Sequence, residues 1–145
     1  MKKNKGTVIK AGDVLPFSHP DFKGQFTSKM LIDKYNSGSK RLQVNHFTLK
    51  PGCRTEGGVH KRPYDEIYYV LEGRAVLHMD GKDYAIDKDT IAFIPGGTLH
   101  SLTNKSRTKD FIILTIWPLQ PEPGVNGVYD LRKKTWGRTF RKARK

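Results

Sequence analysis

Between Thr7 and Trp117 the chain is a succession of short apolar runs, each about a strand long and each cut off by turn residues. The runs read TVIK, TSKMLID, LQVNHFTL, EIYYVL, RAVLHM, KDYAI, TIAFI, HSLTN and DFIILTIW. They are rich in β-branched and aromatic residues, which fit a pleated, half-buried surface. The separators include PGCRTEGG, DG, DKD and PGG, whose glycine, proline and acidic residues favour tight turns. Asp80-Gly81 suits a two-residue hairpin loop of type I′, in which both central residues take positive φ. No stretch before residue 120 keeps a 3.6-residue apolar period, so helices are not the main elements. Nine short strands at this spacing predict an all-β fold, an antiparallel β-sandwich or barrel.

A chain of 145 residues is long enough for one domain with a real core. After Trp117 the texture changes: PLQPEPGVNG holds three prolines and two glycines and reads as a loop or linker. The last stretch, VYDLRKKTWGRTFRKARK, suits a short helix with Trp136 and Phe140 on one face, although Gly137 opposes it. The expected organisation is a barrel over residues 1–118, N-terminal strand included, followed by a Pro/Gly loop and basic tail over 119–145. That tail packs on the barrel or extends from it.

The net charge of +13 resembles a nucleic-acid signature until it is located. Lys2, Lys3 and Lys5 open the chain, and Arg132, Lys133, Lys134, Arg138, Arg141, Lys142, Arg144 and Lys145 close it. Without those eleven, sixteen Lys and Arg stand against fourteen Asp and Glu, so the body is nearly neutral. With no recognised nucleic-acid module, the tail is expected to serve solubility or to dock on its own domain. An accessory role on nucleic acid through the tail stays as the rival. No apolar run approaches the roughly 20 residues of a membrane span, and MKKNKGTVIK has no signal-peptide core. One cysteine, Cys53, excludes an internal disulfide. The expectation is a soluble cytoplasmic protein.

Two constellations carry chemistry. The first is VHKRPYDEIYYVLEG, where His60, Arg62, Glu66 and Gly73 stand at H-x-R-x3-E-x6-G. The second is PGGTLHSLTN, where Pro95, Gly97, His100 and Asn104 stand at P-x-G-x2-H-x3-N. Here the chain resembles the cupin superfamily, small jelly-roll barrels marked by G-x5-H-x-H-x3or4-E-x6-G and G-x5-P-x-G-x2-H-x3-N. The likeness covers roughly residues 40 to 117. The second box departs only at its opening glycine, where Asp89 stands. In the first, counting left from Glu66 puts His60 on the first family histidine and Arg62 on the second. Counting right from Gly52 puts Gly58 and His60 there instead. The leftward count keeps more of the spacing and puts two extra residues in the CRTEGG loop.

The resemblance implies His60, Glu66 and His100 as ligands of one divalent metal ion, Fe, Mn, Ni, Zn or Co. Two imidazoles and a carboxylate independently suit a divalent first-row metal with open positions. The alternative is a metal-free barrel in which His60 and His100 are hydrogen-bonded core residues and Arg62 neutralises Glu66. Arg62, spaced to point inward beside the site, fits a substrate carboxylate with its planar fork. Tyr68 shares the inward face of Glu66 by the strand period of two, and Tyr64 and His46 are further candidates for contact with substrate. His78 reads as a surface strand residue, His19 as a turn residue, and Asn104 as a shaper of the barrel end. The expected function is metal-dependent action on a small oxygenated, anionic molecule. Dioxygenase, isomerase, decarboxylase and lyase chemistry stay open, as does a non-catalytic binding barrel. The resemblance also implies a homodimer, with GTVIK as a strand that crosses to the partner.

Overall fold

The structure is a computed structural model and describes residues 6–18, 22, 24–34 and 36–119. Its strands are β1 (Phe26–Ile32), β2 (Leu42–Leu49), β3 (Glu66–Glu72), β4 (Arg74–Met79), β5 (Lys82–Asp87), β6 (Ile91–Ile94), β7 (His100–Thr103) and β8 (Phe111–Pro118). They form two antiparallel sheets, one of five strands in the order β1-β2-β8-β3-β6 and one of three in the order β5-β4-β7. The last strand therefore returns between β2 and β3, and the two sheets close face to face as a jelly roll. The all-β antiparallel expectation holds.

Alternation along the strands decides which face is inside. In β3, Glu66, Tyr68 and Val70 are buried while Ile67, Tyr69 and Leu71 are only half-buried. The inward residues of both sheets, among them Leu49, Val70, Leu77, Ile94, Leu102, Phe111 and Ile113, make one continuous core. The β4–β5 hairpin turns at Asp80 (φ 48°) and Gly81 (φ 76°), the two positive-φ residues that the Asp-Gly pair predicts. Asn104 is buried and ties three ends of the barrel together. Its Nδ2 donates to the carbonyls of Leu49 (3.1 Å), Lys50 (3.3 Å) and Lys109 (2.9 Å), and its Oδ1 accepts from the Ser106 N–H.

TVIK differs from expectation. Thr7 to Lys10 form no strand, and Val8 is 98% exposed. Among the described residues that run joins neither sheet, and the backbone of Phe17 is what lies beside Ser28 of β1. The turn expected at His19, the helix expected around Trp136 and Phe140, and the loop and tail from Gln120 onward lie outside the described residues.

Candidate metal centre

Two of the three expected ligands open strands. Glu66 is the first residue of β3 and His100 the first of β7, and both point into the barrel. His60 lies on no strand, so the loop before β3 must be held in place by other means. Main-chain bonds do this by joining the two boxes. Gly58 and His100 exchange N–H to carbonyl bonds at 3.0 Å each, and the Gly97 N–H donates to the His60 carbonyl at 2.6 Å. The Gly96 N–H donates to the Asp65 carboxylate at 2.9 Å. Between them the chain turns at Lys61–Tyr64, where the Tyr64 N–H donates to the Lys61 carbonyl around a cis Arg62–Pro63 bond. At the opening of the second box, Asp89 has φ 63°, the left-handed region where glycine is favoured. Aspartate is one of the few other residues that enter it, which explains how the box forms without its glycine.

The three side chains meet. Nε2 of His60 lies 3.1 Å and Nε2 of His100 3.3 Å from the same Glu66 oxygen, Oε1. One donor atom from each residue falls within 4.8 Å of the others. The two imidazole rings lie nearly parallel at 5.2 Å, with the Tyr68 ring edge-on to His100 at 6.1 Å. Nδ1 of His100 is 2.9 Å from the Thr98 carbonyl, which can only accept, so Nδ1 carries the proton and Nε2 is left to face Glu66. A histidine held this way by its second nitrogen is the usual arrangement for a ligating imidazole.

Electrostatics reinforce the convergence. Burial opposes the Glu66 charge, but hydrogen bonds from His100 and His60 outweigh it and hold the carboxyl below its usual range. Burial likewise opposes a charge on His100, yet the bonds to Glu66 and Thr98 raise its pKa above the ordinary value. Burial, with the charge and hydrogen bond of Glu66, pushes the Tyr68 phenol well up, so it stands as a neutral donor to the carboxylate. The result is a buried carboxylate between two nitrogens, a donor set that could accept a proton or a cation.

The other expected residues scatter. Arg62 is exposed at the rim rather than turned into the cavity, and its Nε and stem lie over Gly97, the side-chain-free position of the second box. A guanidinium is costly to bury without a partner, and among the described residues no ion pair joins it to Glu66. Tyr64 is half-buried with its main chain against Gly96. His46 is a correction: it has the opposite parity to the buried Gln43, Asn45 and Leu49, so it lies on the outer face of the five-stranded sheet. There it stands in register with Lys29 and Leu114, and burial, then the Lys29 charge, lowers its pKa. His78 is on the outer face of the small sheet, 2.6 Å from Asp83 Oδ1 and 2.8 Å from Thr103 Oγ1. Residues not singled out in the sequence prove to face inward at the level of the site: Gln43, Asn45, Thr115 and Trp117. The period of two, counted back from Leu49 and on from Phe111, would have found them.

Comparison with known proteins agrees with this architecture. The chain is 30% identical over 112 residues to a protein named oxalate-binding protein from Thermotoga maritima, covering 74% of this chain and 91% of that one. It is 26% identical over 104 residues to the tetracenomycin polyketide synthase protein TcmJ of Streptomyces glaucescens, with 70% of this chain and 68% of that one covered. Among solved structures, a predicted oxalate decarboxylase from Thermotoga maritima superposes with a TM-score of 0.69 at 26% identity, over 79% of this chain and all of that one. The polyketide cyclase RemF of Streptomyces resistomycificus shares the fold, with a TM-score of 0.70 at 24% identity over 81% of this chain and 83% of that one. The profile of the cupin domain matches residues 45–117, which span both boxes and the strands that carry them. The chain belongs to the cupin family.

Proposed function

We propose that this cupin holds one divalent metal ion on His60, Glu66 and His100 and acts as an enzyme on a small oxygenated anion. The observation that carries the reading is the convergence of two imidazole Nε2 atoms on one buried carboxylate oxygen, with the far side of His100 fixed by Thr98. The donor set of two nitrogens and one oxygen suits Fe, Mn, Ni, Zn or Co. A bound ion would supply Lewis acidity or activate oxygen. The chain's own residues do the rest. Thr98 keeps His100 in the ligating tautomer, Tyr68 steadies the Glu66 carboxylate by donating to it, and Arg62 at the rim takes an anionic group of the substrate. Names of relatives support an oxygenated ligand: one is an oxalate-binding protein and another belongs to a polyketide synthase. Fold membership does not choose among dioxygenase, isomerase, decarboxylase and lyase chemistry. A barrel that only binds is the second reading, favoured by the name of the first relative.

The partner, in this reading, is a second copy. The outer face of the five-stranded sheet presents Ile67, Leu71, Ile112, Leu114 and Ile116 beside Ile91 and Phe93, which are 64% and 57% exposed. Three strands about 4.8 Å apart and some 20 Å long give an apolar patch of about 300 Å² per subunit, the centre of an interface that would extend over β2 and β1. Sedimentation should report a dimer.

The functional test is calorimetry with oxalate and with malonate on protein loaded with each metal in turn. Binding should require the metal, and Arg62→Gln should weaken it by about tenfold or more, since a hydrogen bond to a charged group is worth about 1.5–3 kcal/mol. Carboxylate binding that persists unchanged after chelation would contradict the reading.

A further inference from the structure

The inner face of the five-stranded sheet carries polar side chains well beyond the three-residue cluster. Partners in register share a face, so Gln43 points with Trp117, and Asn45 points with Thr115 and, on β3, with Tyr68. Glu66 stands one residue beyond the Ile67–Ile116 pair and so flanks Trp117. Two rows thus cross β3, β8 and β2 at the level of the site, Glu66–Trp117–Gln43 and Tyr68–Thr115–Asn45. With neighbouring strands about 4.8 Å apart, the β2 ends of these rows lie about 10 Å from the β3 ends.

The β2 ends are unusual. Gln43 is 0% exposed and Asn45 3%, yet Gln43 Oε1 and Asn45 Oδ1 meet no donor. The Gln43 amide cannot be turned round to cure this. Its nitrogen donates to the Pro118 carbonyl at 3.4 Å, and that oxygen could not face another acceptor. The Asn45 nitrogen donates to Ser28 Oγ at 3.3 Å. Buried acceptors without a donor are rare in folded proteins, because the lost hydration is not returned. Both lie on the inner face that they share with the candidate metal centre, and Gln43, whose orientation the Pro118 carbonyl fixes, calls for a ligand that brings a donor.

We propose that Gln43 and Asn45 form an acceptor subsite for the end of the substrate remote from its metal-binding head. This rests on the reading of His60, Glu66 and His100 as a metal centre. The substrate is then a hydroxyl-bearing oxyacid about 10 Å long, with its middle against Trp117. A two-carbon diacid does not fit this subsite, because ionised oxalate is short and has acceptors only.

The test pairs two probes, phenylglyoxylate and 4-hydroxyphenylglyoxylate. Both carry the same chelating 2-oxo acid head, and only the second has a donor at its far end. Calorimetry on the metal-loaded wild-type protein should find the hydroxylated acid tighter by about tenfold, within the range for pairing a buried unsatisfied group. Asn45→Leu and Gln43→Met should each shrink that advantage while metal content stays unchanged. Equal affinity of the two acids in the wild-type protein overturns the subsite, whether or not the variants fold, as does failure of both to bind. If both bind but ignore chelation, the metal-centre reading fails and the inference with it. If binding needs the metal but the hydroxyl adds nothing, only the inference fails.

Discussion

Gly73 ends the first box and connects β3, which carries Glu66, to β4. Its φ is +78°, and a Cβ built there would overlap the Asp110 carbonyl oxygen and lie 3.2 Å from Phe111 Cα. Both are main-chain atoms at the entry to β8, the strand between β2 and β3, and neither can swing aside. Gly81, in the β4–β5 hairpin, has nearly the same φ, +76°, but open space where its Cβ would stand. Comparing Gly73→Ala with Gly81→Ala therefore separates backbone conformation from collision. The left-handed conformation costs a non-glycine residue about 1–2 kcal/mol, and this applies to both. Collision with fixed backbone adds the cost of overpacking, about 1–3 kcal/mol or more, to Gly73→Ala alone. The expected totals are about 1–2 kcal/mol at Gly81 and about 2–5 kcal/mol at Gly73. For a chain of this size each kcal/mol lowers Tm by roughly 3–5 °C. Urea titration followed by circular dichroism, with a shared slope, measures both values. If the two variants lose the same stability, the close approach of β8 to the Gly73 turn is wrong, and with it the packing that fixes where β3 ends.

Metal and protons should compete at the site. The raised pKa of His100 means that its pairing with Glu66 stabilises metal-free protein fully below the unfolded histidine value of about 6.5 and is lost as pH rises through the higher folded value. The lowered pKa of Glu66 works the other way: its contribution is present above the unfolded carboxyl range and is lost as pH falls through the folded value. Chelator-treated protein should thus melt highest on the acid side of neutrality, whereas stabilisation by metal should grow with pH because ligation needs neutral imidazole. Melting curves that run parallel with and without chelator, from about pH 5 to pH 8, would count against this competition. Gly97→Ala puts a methyl group against the Arg62 side chain, whose flexible end can swing away, at a φ of +85° where the left-handed cost of about 1–2 kcal/mol applies as at Gly73 and Gly81. It should keep the metal and weaken carboxylate binding as Arg62→Gln does; unchanged carboxylate binding would remove Arg62 from the substrate's path.

Much of this was legible in the sequence where short-range chemistry decides. The run LQVNHFTL becomes β2 and RAVLHM becomes β4 at the same boundaries, because β-branched runs closed by turn residues leave little freedom. Asp80-Gly81 gave its hairpin for the same reason. Spacing also brought His60, Glu66 and His100 to one place, since each box is a strand end with a fixed number of residues to its turn. The misses are matters of tertiary partnership. TVIK has strand composition, yet among the described residues it joins neither sheet, and composition alone does not make a strand. His46 sits among apolar strand residues on either reading, and only the register of β2 against β1 and β8 sends it outward. Arg62 occupies a histidine's place in the spacing, yet Gly97 offers its long stem a surface at the rim that no one-dimensional count reveals.

The central claim is that His60, Glu66 and His100 together hold one ion, and elemental analysis of protein purified without chelator tests it most directly. Wild-type protein should carry close to one divalent first-row metal per chain. His100→Ala should lose it while the barrel stays folded, because the main-chain bonds between Gly58 and residue 100 remain. Metal-free wild-type protein that also fails to take up Fe, Mn, Ni, Zn or Co on reconstitution, or His100→Ala protein with its full complement, would contradict the account.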